Sequence, residues 1–476
     1  MPSVLLTHSY FLYLDPKQEE AGNAYPPLGT LYAASCLKEL GYEVRLFDAM
    51  LAKSPGDLLP VLQNAQPDFL VVYDDGFNYL TKMCLTNMRE AAFEMIHMAK
   101  AKGIPVIISS SDSTDHFEKY LDQGADYVIL GEGERTLTDL LHALQDGADP
   151  ESIQGIAWRK NRQTINAGKR PVMRDLDTLP FPAWDMVDFE AYRNLWIEKI
   201  GYFSINMVTT RGCTYKCNWC AKPLFGNRYN ARTPGHVVEE LKFLIKEKNV
   251  DHIWFCDDIF GLKPDWLIEF ARLVTEAGLR FRFKIQSRAD LMVVESSVKA
   301  LAEAGCDTVW LGAESGSQKI LDAMEKGITI QQIHDSRRLL KQYCIKTAFF
   351  LQFGYPGENM EDIQSTIQMV LETMPDEIGI SVTYPLPGTK LYENVKSQLG
   401  EKSNWKDSDE LAMMFQNTFP QGFYKELQRY MHTVYRRKKG IQSALSLFTD
   451  PGKIRFATLR SALTSLYHTP VAILRK

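Results

Sequence analysis

Cys213, Cys217 and Cys220 stand in the run Thr210-Arg211-Gly212-Cys213-Thr214-Tyr215-Lys216-Cys217-Asn218-Trp219-Cys220. The spacing is C-x3-C-x2-C, with an aromatic residue just before the last cysteine. Three thiolates on one short loop can hold three irons of a cubane iron–sulfur cluster. Such a cluster takes four protein ligands, and no fourth cysteine stands nearby. One iron is then left open to bind a small molecule and pass it an electron. Two other readings compete. A zinc ion could take the three cysteines and His236, although structural zinc sites usually pair two short knuckles and only one C-x2-C occurs here. Disulfide pairing among cysteines so close together is sterically awkward.

The chain that must position this loop has 476 residues and is 45% hydrophobic, enough for two or three domains with their own cores. A net charge of -5 gives no overall bias toward nucleic acid. No apolar run is long enough to span a bilayer. Met1-Pro2-Ser3-Val4-Leu5-Leu6 enters a strand-like run without a basic leader, so no signal peptide is expected. Cys36, Cys84, Cys256, Cys306 and Cys344 are scattered, as buried thiols are in the reducing cytoplasm, where the protein is expected to reside.

Residues 1–148 alternate strand and helix, with strands predicted at 4–7, 44–48, 69–73, 106–108 and 127–130. Their apolar runs are continuous, as in parallel strands covered on both faces. The pattern predicts a doubly wound, Rossmann-like sheet whose ligand lies beyond the C-terminal strand ends. Residues 149–198 read as a linker containing a small hairpin and the Pro-rich run Leu179-Pro180-Phe181-Pro182. Over 199–400 the alternation resumes, with strands at 205–210, 252–256, 281–286, 308–311, 347–353 and 378–384 and helices such as 237–248 and 266–276. Six strand–helix units predict a partial (β/α)6 barrel, and the cysteine loop directly follows its first strand, at the end where barrels keep their chemistry. Residues 401–476 are mainly helical and basic: Lys425, Arg429, Arg436, Arg437, Lys438, Lys439, Lys453, Arg455, Arg460, Arg475 and Lys476 face only Glu426 and Asp450 from Tyr424 onward. They read as a solvated cap on the barrel or as a dock for an anionic substrate or membrane surface.

Further motifs fall at strand ends, in order, after the cysteine loop: Phe255-Cys256-Asp257-Asp258-Ile259-Phe260, Gln286-Ser287-Arg288, Gly312-Ala313-Glu314-Ser315-Gly316, Phe353-Gly354-Tyr355-Pro356-Gly357-Glu358 and Pro385-Leu386-Pro387-Gly388-Thr389. Each alone is weak; Tyr-Pro-Gly is mostly a turn. Together with the cysteine loop they resemble the radical S-adenosylmethionine (SAM) superfamily. Tyr25-Pro26-Pro27-Leu28-Gly29, Gly131-Glu132-Gly133-Glu134 and Leu176-Asp177-Thr178-Leu179-Pro180-Phe181-Pro182 narrow the resemblance. Over roughly residues 1–400 the chain is similar to the cobalamin-binding radical SAM class, which includes anaerobic magnesium-protoporphyrin ester cyclase and many C- and P-methylases.

The resemblance implies a [4Fe-4S] cluster on Cys213, Cys217 and Cys220, SAM on the open iron, and cobalamin in the N-terminal domain. It implies SAM contacts from Asp257 and Asp258 to the amino group, Arg288 to the carboxylate, Glu314 and Ser315 to the amino group or ribose, and Tyr355 near adenine. Trp219 would cover the cluster or pack on adenine, with core packing the alternative. No catalytic side chain is assigned beyond the cluster. The chemistry implied is formation of a 5′-deoxyadenosyl radical that functionalises an unactivated carbon, chiefly by methyl transfer. The alternatives are oxidative cyclisation or rearrangement, and a non-enzymatic cobalamin or redox sensor. Partners would be a small-molecule substrate and a ferredoxin or flavodoxin, with no nucleic acid. Two departures stand out. The Asp-x-His-x-x-Gly cobalt motif is absent, and Ser109-Ser110-Ser111-Asp112 replaces the usual Gly-Gly-x-His stretch. Methylthiotransferases carry three further cluster cysteines in the N-terminal domain, where this chain has only Cys36 and Cys84.

Overall fold

Two sheets built from continuous apolar runs organise the chain. The computed structural model describes residues 2–449 except 79–80, 82–84, 223, 400–403, 409–412 and 421, with side chains to 443 in the last helix. Cys84 and the tail residues Asp450, Lys453, Arg455, Arg460, Arg475 and Lys476 lie outside the described residues. The first sheet takes β1 (Ser3–Thr7), β2 (Glu43–Leu46), β3 (Phe69–Tyr73), β4 (Val106–Ser109), β5 (Tyr127–Ile129), β6 (Ile156–Lys160) and β7 (Gln163–Asn166). Its order is β2-β1-β3-β4-β5-β6-β7. The first five strands are parallel, as their two-sided burial requires. The hairpin expected in the linker is part of this sheet: β6 pairs antiparallel with β5, matching Val128 to Ala157. Ile156 and Ala157 are fully buried there, which fixes the register.

The strand expected at 205–210 divides. β8 (Ser204–Met207) stays in the second sheet, while β9 (Thr210–Arg211) leaves it to pair antiparallel with β10 (Asn230–Ala231). This small ribbon closes the base of the cysteine loop. β11 (His252–Phe255), β12 (Arg282–Ser287), β13 (Cys306–Glu314), β14 (Lys346–Phe353) and β15 (Glu377–Val382) follow. All six strands run parallel in chain order, with β8 and β15 at the edges. The helix expected at 237–248 is α-helical over Pro234–Lys242 and continues as a π-helical turn over Phe243–Glu247. The final helix, Phe423–Thr449, buries Tyr424, Leu427, Met431 and Tyr435. Tyr435 Oη donates to the carbonyls of Pro375 and Asp376, both at 2.7 Å, so this helix runs beside the β15 edge. Its Lys439 also donates to the Asp376 carbonyl, at 2.6 Å, so part of its basic face serves packing. Among the described residues no helix is long and apolar enough to cross a membrane.

The two sheets are joined by buried polar contacts. Trp196 Nε1 donates to the Ala24 carbonyl at 2.6 Å, and Asn206 Nδ2 donates to the Pro26 carbonyl at 3.0 Å. The central contact is Arg211, on β9. Its guanidinium donates to Glu134 at 2.7 Å and to Glu132, both in the turn after β5. All three side chains are buried. Three rings, Tyr32, Phe77 and Phe225, lie 5.2–5.4 Å from the guanidinium carbon. A buried charge that loses its partner costs about 3–5 kcal/mol. Arg211→Met leaves two carboxylates behind and should lower the chemical-denaturation midpoint by a comparable free energy. Adding Glu132→Gln and Glu134→Gln should recover part of the loss. A midpoint unchanged in Arg211→Met would show that the cluster carries no such weight.

Candidate functional site

The cysteine loop is pinned on every side by the parallel sheet that launches it. Gly212 has φ +80°, and a Cβ there would stand 2.3 Å from the Arg228 carbonyl oxygen, so only glycine fits between β9 and the returning chain. Asp257, just past β11, accepts from the backbone N–H groups of Thr209 and Thr210 at 2.7 and 3.0 Å and from the Thr209 hydroxyl. Asn218 is held at three atoms. Its N–H donates to the Met324 carbonyl (3.0 Å), its amide donates to the Ala323 carbonyl (2.6 Å), and its own carbonyl accepts from Leu391 N–H (3.0 Å). Tyr355, after β14, places its hydroxyl 2.9 Å from Asn218 Oδ1 and 3.0 Å from the Ala323 carbonyl. Lys222 Nζ donates to the Tyr215 carbonyl at 2.6 Å.

Cys213, Cys217 and Cys220 are free thiols on this loop. Burial pushes Cys213 up and Cys220 up to about 11; Lys222 opposes both shifts, while the nearby Asp258 carboxylate adds to them. A metal that binds thiolate must therefore displace these protons. Among the described residues no three His, Cys, Asp or Glu side chains converge on one ion-sized point. In a cubane each thiolate takes a different iron, so the sulfurs stand apart. His236 is engaged elsewhere: its Nδ1 lies 3.0 Å from Arg232 Nε and 3.3 Å from Asp177 Oδ1. The donor set is thus three thiols without a histidine, which fits a cluster with one open iron.

Charged groups ring the loop. Arg288, after β12, lies flat over Tyr215 with its carbon 3.5 Å from the ring centre. It donates to Asp290 at 2.9 Å and to the Lys326 carbonyl at 2.8 Å, and approaches Cys217 Sγ at 3.8 Å. Glu314, at the end of β13, has φ +60°, and its Oε1 accepts from Lys326 Nζ at 2.8 Å; both side chains are buried. A Cβ on Gly312 would stand 2.6 Å from Lys326 Nζ, so glycine leaves room for this pair. The Lys326 ammonium lies 5.8 Å from the Trp219 ring centre. Trp219 Nε1 is buried and has no hydrogen-bond partner among the described residues. Ser315 is occupied within the protein, its hydroxyl 3.2 Å from Thr366 Oγ1 and accepting from Ser317 N–H at 3.1 Å. The structure therefore gathers Trp219, Asp258, Arg288, Glu314 and Tyr355 about the loop, while Asp257 and Ser315 hold backbone. Lys326 has no motif around it in Met324-Glu325-Lys326-Gly327 and is found only through the fold.

The front sheet contributes a small cleft at its C-terminal strand ends, lined among others by Gly29, Tyr73, Ser109, Ser110, Glu132 and Phe225. The Ser111 hydroxyl, next to Ser110, is buried with no hydrogen-bond partner among the described residues. Leu224 and Phe225, from the chain following the cysteines, take part of that space: a Cβ on Gly76 would stand 2.2 Å from Leu224 Cδ1. Small residues and the Ser111 hydroxyl suit a cofactor tail, and Leu224 and Phe225 stand at the edge of the cleft.

With this geometry in place, residues 207–370 match the model of the Radical SAM superfamily. An uncharacterized methyltransferase of Pyrococcus horikoshii, PH0819, is 28% identical over 81% of this chain and 82% of that protein. The anaerobic magnesium-protoporphyrin IX monomethyl ester cyclase of Cereibacter sphaeroides is 25% identical over 80% of this chain and 62% of its own length. Among solved structures, the cobalamin-dependent SAM radical enzyme OxsB, with aqua-cobalamin and SAM bound, shares the fold at TM-score 0.75 and 15% identity, covering 98% of this chain and 71% of that one. The radical SAM methyltransferase TsrM from Kitasatospora setae, with cobalamin and a [4Fe-4S] cluster bound, gives TM-score 0.69 at 20% identity, covering 83% and 75%.

One group near the site titrates usefully. Glu358, after β14, accepts from Gly354 N–H at 2.6 Å through Oε2, while Oε1 is buried with no hydrogen-bond partner among the described residues. Burial pushes its carboxyl from 4.5 to about 8. The fold thus favours the protonated form, and between about pH 4.5 and 8 the folded chain holds a proton that the unfolded chain has released. The stability contribution is complete below that window and falls as pH rises through it, by at most about 1.4 kcal/mol per pH unit. Denaturation midpoints measured across this range should fall less steeply in Glu358→Gln than in the wild-type protein; parallel pH profiles would mean that Glu358 ionises normally.

Proposed function

We propose that the protein is a [4Fe-4S]- and SAM-dependent radical enzyme that functionalises an unactivated carbon, by methyl transfer with cobalamin as carrier. The observation that carries this reading is the pinned C-x3-C-x2-C loop, whose three free thiols stand beside Arg288 and the Glu314–Lys326 pair at the C-terminal ends of six parallel strands. The sheet is read as a partial barrel over 199–400, with the front domain at 1–148, a linker at 149–198 and the basic helical region from 401 on. Cys213, Cys217 and Cys220 would hold the cluster, which would supply the one-electron reducing chemistry for SAM cleavage and hydrogen-atom abstraction from substrate.

The chain's own residues position these parts. Arg288 offers a fixed guanidinium to the SAM carboxylate, and Glu314 with Asp258 offers carboxylates to its amino group. Tyr355 fixes the loop through Asn218 at the place where adenine would lie, and Trp219 shields the cluster from water. Asp257 and Ser315 act on the backbone they bond. Gly29, Ser109, Ser110 and Ser111 would receive the cobalamin tail. A small ferredoxin or flavodoxin in a reducing cytoplasm would supply the electron. Support for methyl transfer comes from relatives named methyltransferases, among them PH0819, and from the fold shared with the methyltransferase TsrM; the fold shared with OxsB supports cobalamin-dependent radical chemistry. The cyclase relatives favour a second reading, radical cyclisation or rearrangement without methyl transfer.

Anaerobic protein with a rebuilt cluster should convert SAM to 5′-deoxyadenosine. Replacing Cys213, Cys217 or Cys220 by Ala should abolish the conversion with the far-ultraviolet spectrum unchanged, and turnover in any of these variants would reject the assignment. S-adenosylhomocysteine formed alongside 5′-deoxyadenosine favours methyl transfer, and its absence the cyclase-like reading.

A second measurement concerns SAM itself. Glu314→Gln should weaken SAM binding about tenfold, the weight of one charge-assisted hydrogen bond, while iron content stays at the wild-type level. Equal SAM affinity in calorimetry would remove Glu314 from the site.

A further inference from the structure

A strand in the middle of a parallel sheet is normally covered on both faces, and β14 departs from that rule on one of them. Phe349, Leu351 and Phe353 point to the face where they are almost completely buried, whereas Phe350, on the opposite face, is 36% exposed. Its ring stacks on Trp310 of β13, with centroids 4.6 Å apart and planes 29° from parallel. Gly379 of β15, paired with Phe350, completes the floor: a Cβ there would meet Trp310 Cζ3 at 3.1 Å and Phe350 Cδ1 at 3.5 Å. The result is a two-ring stack beside Gly379, with Phe350 left partly exposed. Gln352, two residues on and on the same face, is 5% exposed, and its Oε1 has no hydrogen-bond partner among the described residues. A buried carbonyl oxygen left without a donor is costly unless something else supplies one.

The stack lies next to the reaction site. Phe350 pairs in register with Gly312, and the space above Gly312 holds Lys326 Nζ and Glu314 Oε1. The same face therefore carries, from its middle to its C-terminal end, a partly exposed aromatic stack, an unmatched acceptor and the ion pair beside the cysteine loop.

We propose that Trp310 and Phe350 form the seat of the substrate, and that the substrate is a flat, conjugated ring compound presenting an N–H or O–H donor to Gln352 Oε1. This rests on the reading of the cysteine loop as the reaction centre. A planar π-system can extend the Trp310–Phe350 stack by one more ring, which a puckered saturated ring does poorly. The single acceptor at the edge sets the orientation of the ring, since the analogue without a donor leaves Gln352 unpaired.

Three probes separate these features: 2-naphthol is flat with a donor, 2-methoxynaphthalene is flat without one, and decahydro-2-naphthol has the donor without the plane. Their binding is measured by calorimetry and saturation-transfer NMR on the anaerobic, cluster-loaded full chain, with SAM cleavage recorded in the same samples. In the wild-type protein 2-naphthol should bind about fivefold or more tighter than either other probe. Phe350→Ala should weaken 2-naphthol about tenfold. Gln352→Leu should erase the preference for 2-naphthol over 2-methoxynaphthalene while keeping or raising the thermal midpoint, because it removes an unpaired buried amide. Equal binding of the three probes, or affinities indifferent to both substitutions, would overturn the seat. If SAM is cleaved and the probes show no selectivity, the seat fails and the radical SAM reading stands. If selectivity follows the two substitutions and SAM is not cleaved, the seat stands and that reading fails.

Discussion

The arrangement depends on one buried charge cluster. Arg211 sits one residue before Gly212 and two before Cys213, and its guanidinium is held by Glu132 and Glu134 from the other sheet. An ion triad closed off from water is weak evidence of net stability, because desolvation offsets much of the attraction. What it does require is that the three groups stay together, since separating them leaves an unpaired buried charge. Glu132 and Glu134 also line the front cavity. Arg211 thus ties the base of the cysteine loop to the wall of that cleft directly through side chains.

From that anchor the loop is fixed by bonds whose partners come from the ends of successive strands. Asp257 after β11, Tyr355 after β14 and the Met324 and Ala323 carbonyls beyond β13 each hold a different point. Thiolates on a loop held this way need little rearrangement when a cluster binds, which is how a scaffold lowers the entropic cost of forming a site. The raised thiol pKa values of Cys213 and Cys220 show the other side: without metal, this environment favours neutral sulfur. The same sheet leaves Phe350 partly exposed on one face of β14, which a sheet built by local βα units tolerates because each unit is stabilised by the helix on its other face.

The sequence made the strand–helix order legible because continuous apolar runs between polar turns have few other solutions. All five parallel strands of the front sheet and all six of the second fall within a few residues of expectation. Strand edges were less legible. The division of 205–210 into β8 and β9 comes from the pairing of Thr210–Arg211 with Asn230–Ala231, some twenty residues away in the chain, which no local pattern announces. The hairpin at Ile156–Lys160 and Gln163–Asn166 read as linker because its membership of the sheet depends on β5 being free to pair.

By itself the sequence determined the chemistry available: three cysteines at C-x3-C-x2-C, charged residues after successive strands, and glycines where backbone must pass closely. These are local properties of residue type and spacing. The tertiary structure alone decided which of those residues meet. It set Lys326 against Glu314, spent Asp257 and Ser315 on backbone, placed Leu224 and Phe225 at the front cleft, and left Phe350 partly exposed and Gln352 buried beside the site. Contacts between residues far apart in the chain follow from how two sheets pack and from which buried charges must be paired, and neither is written in any short stretch of sequence.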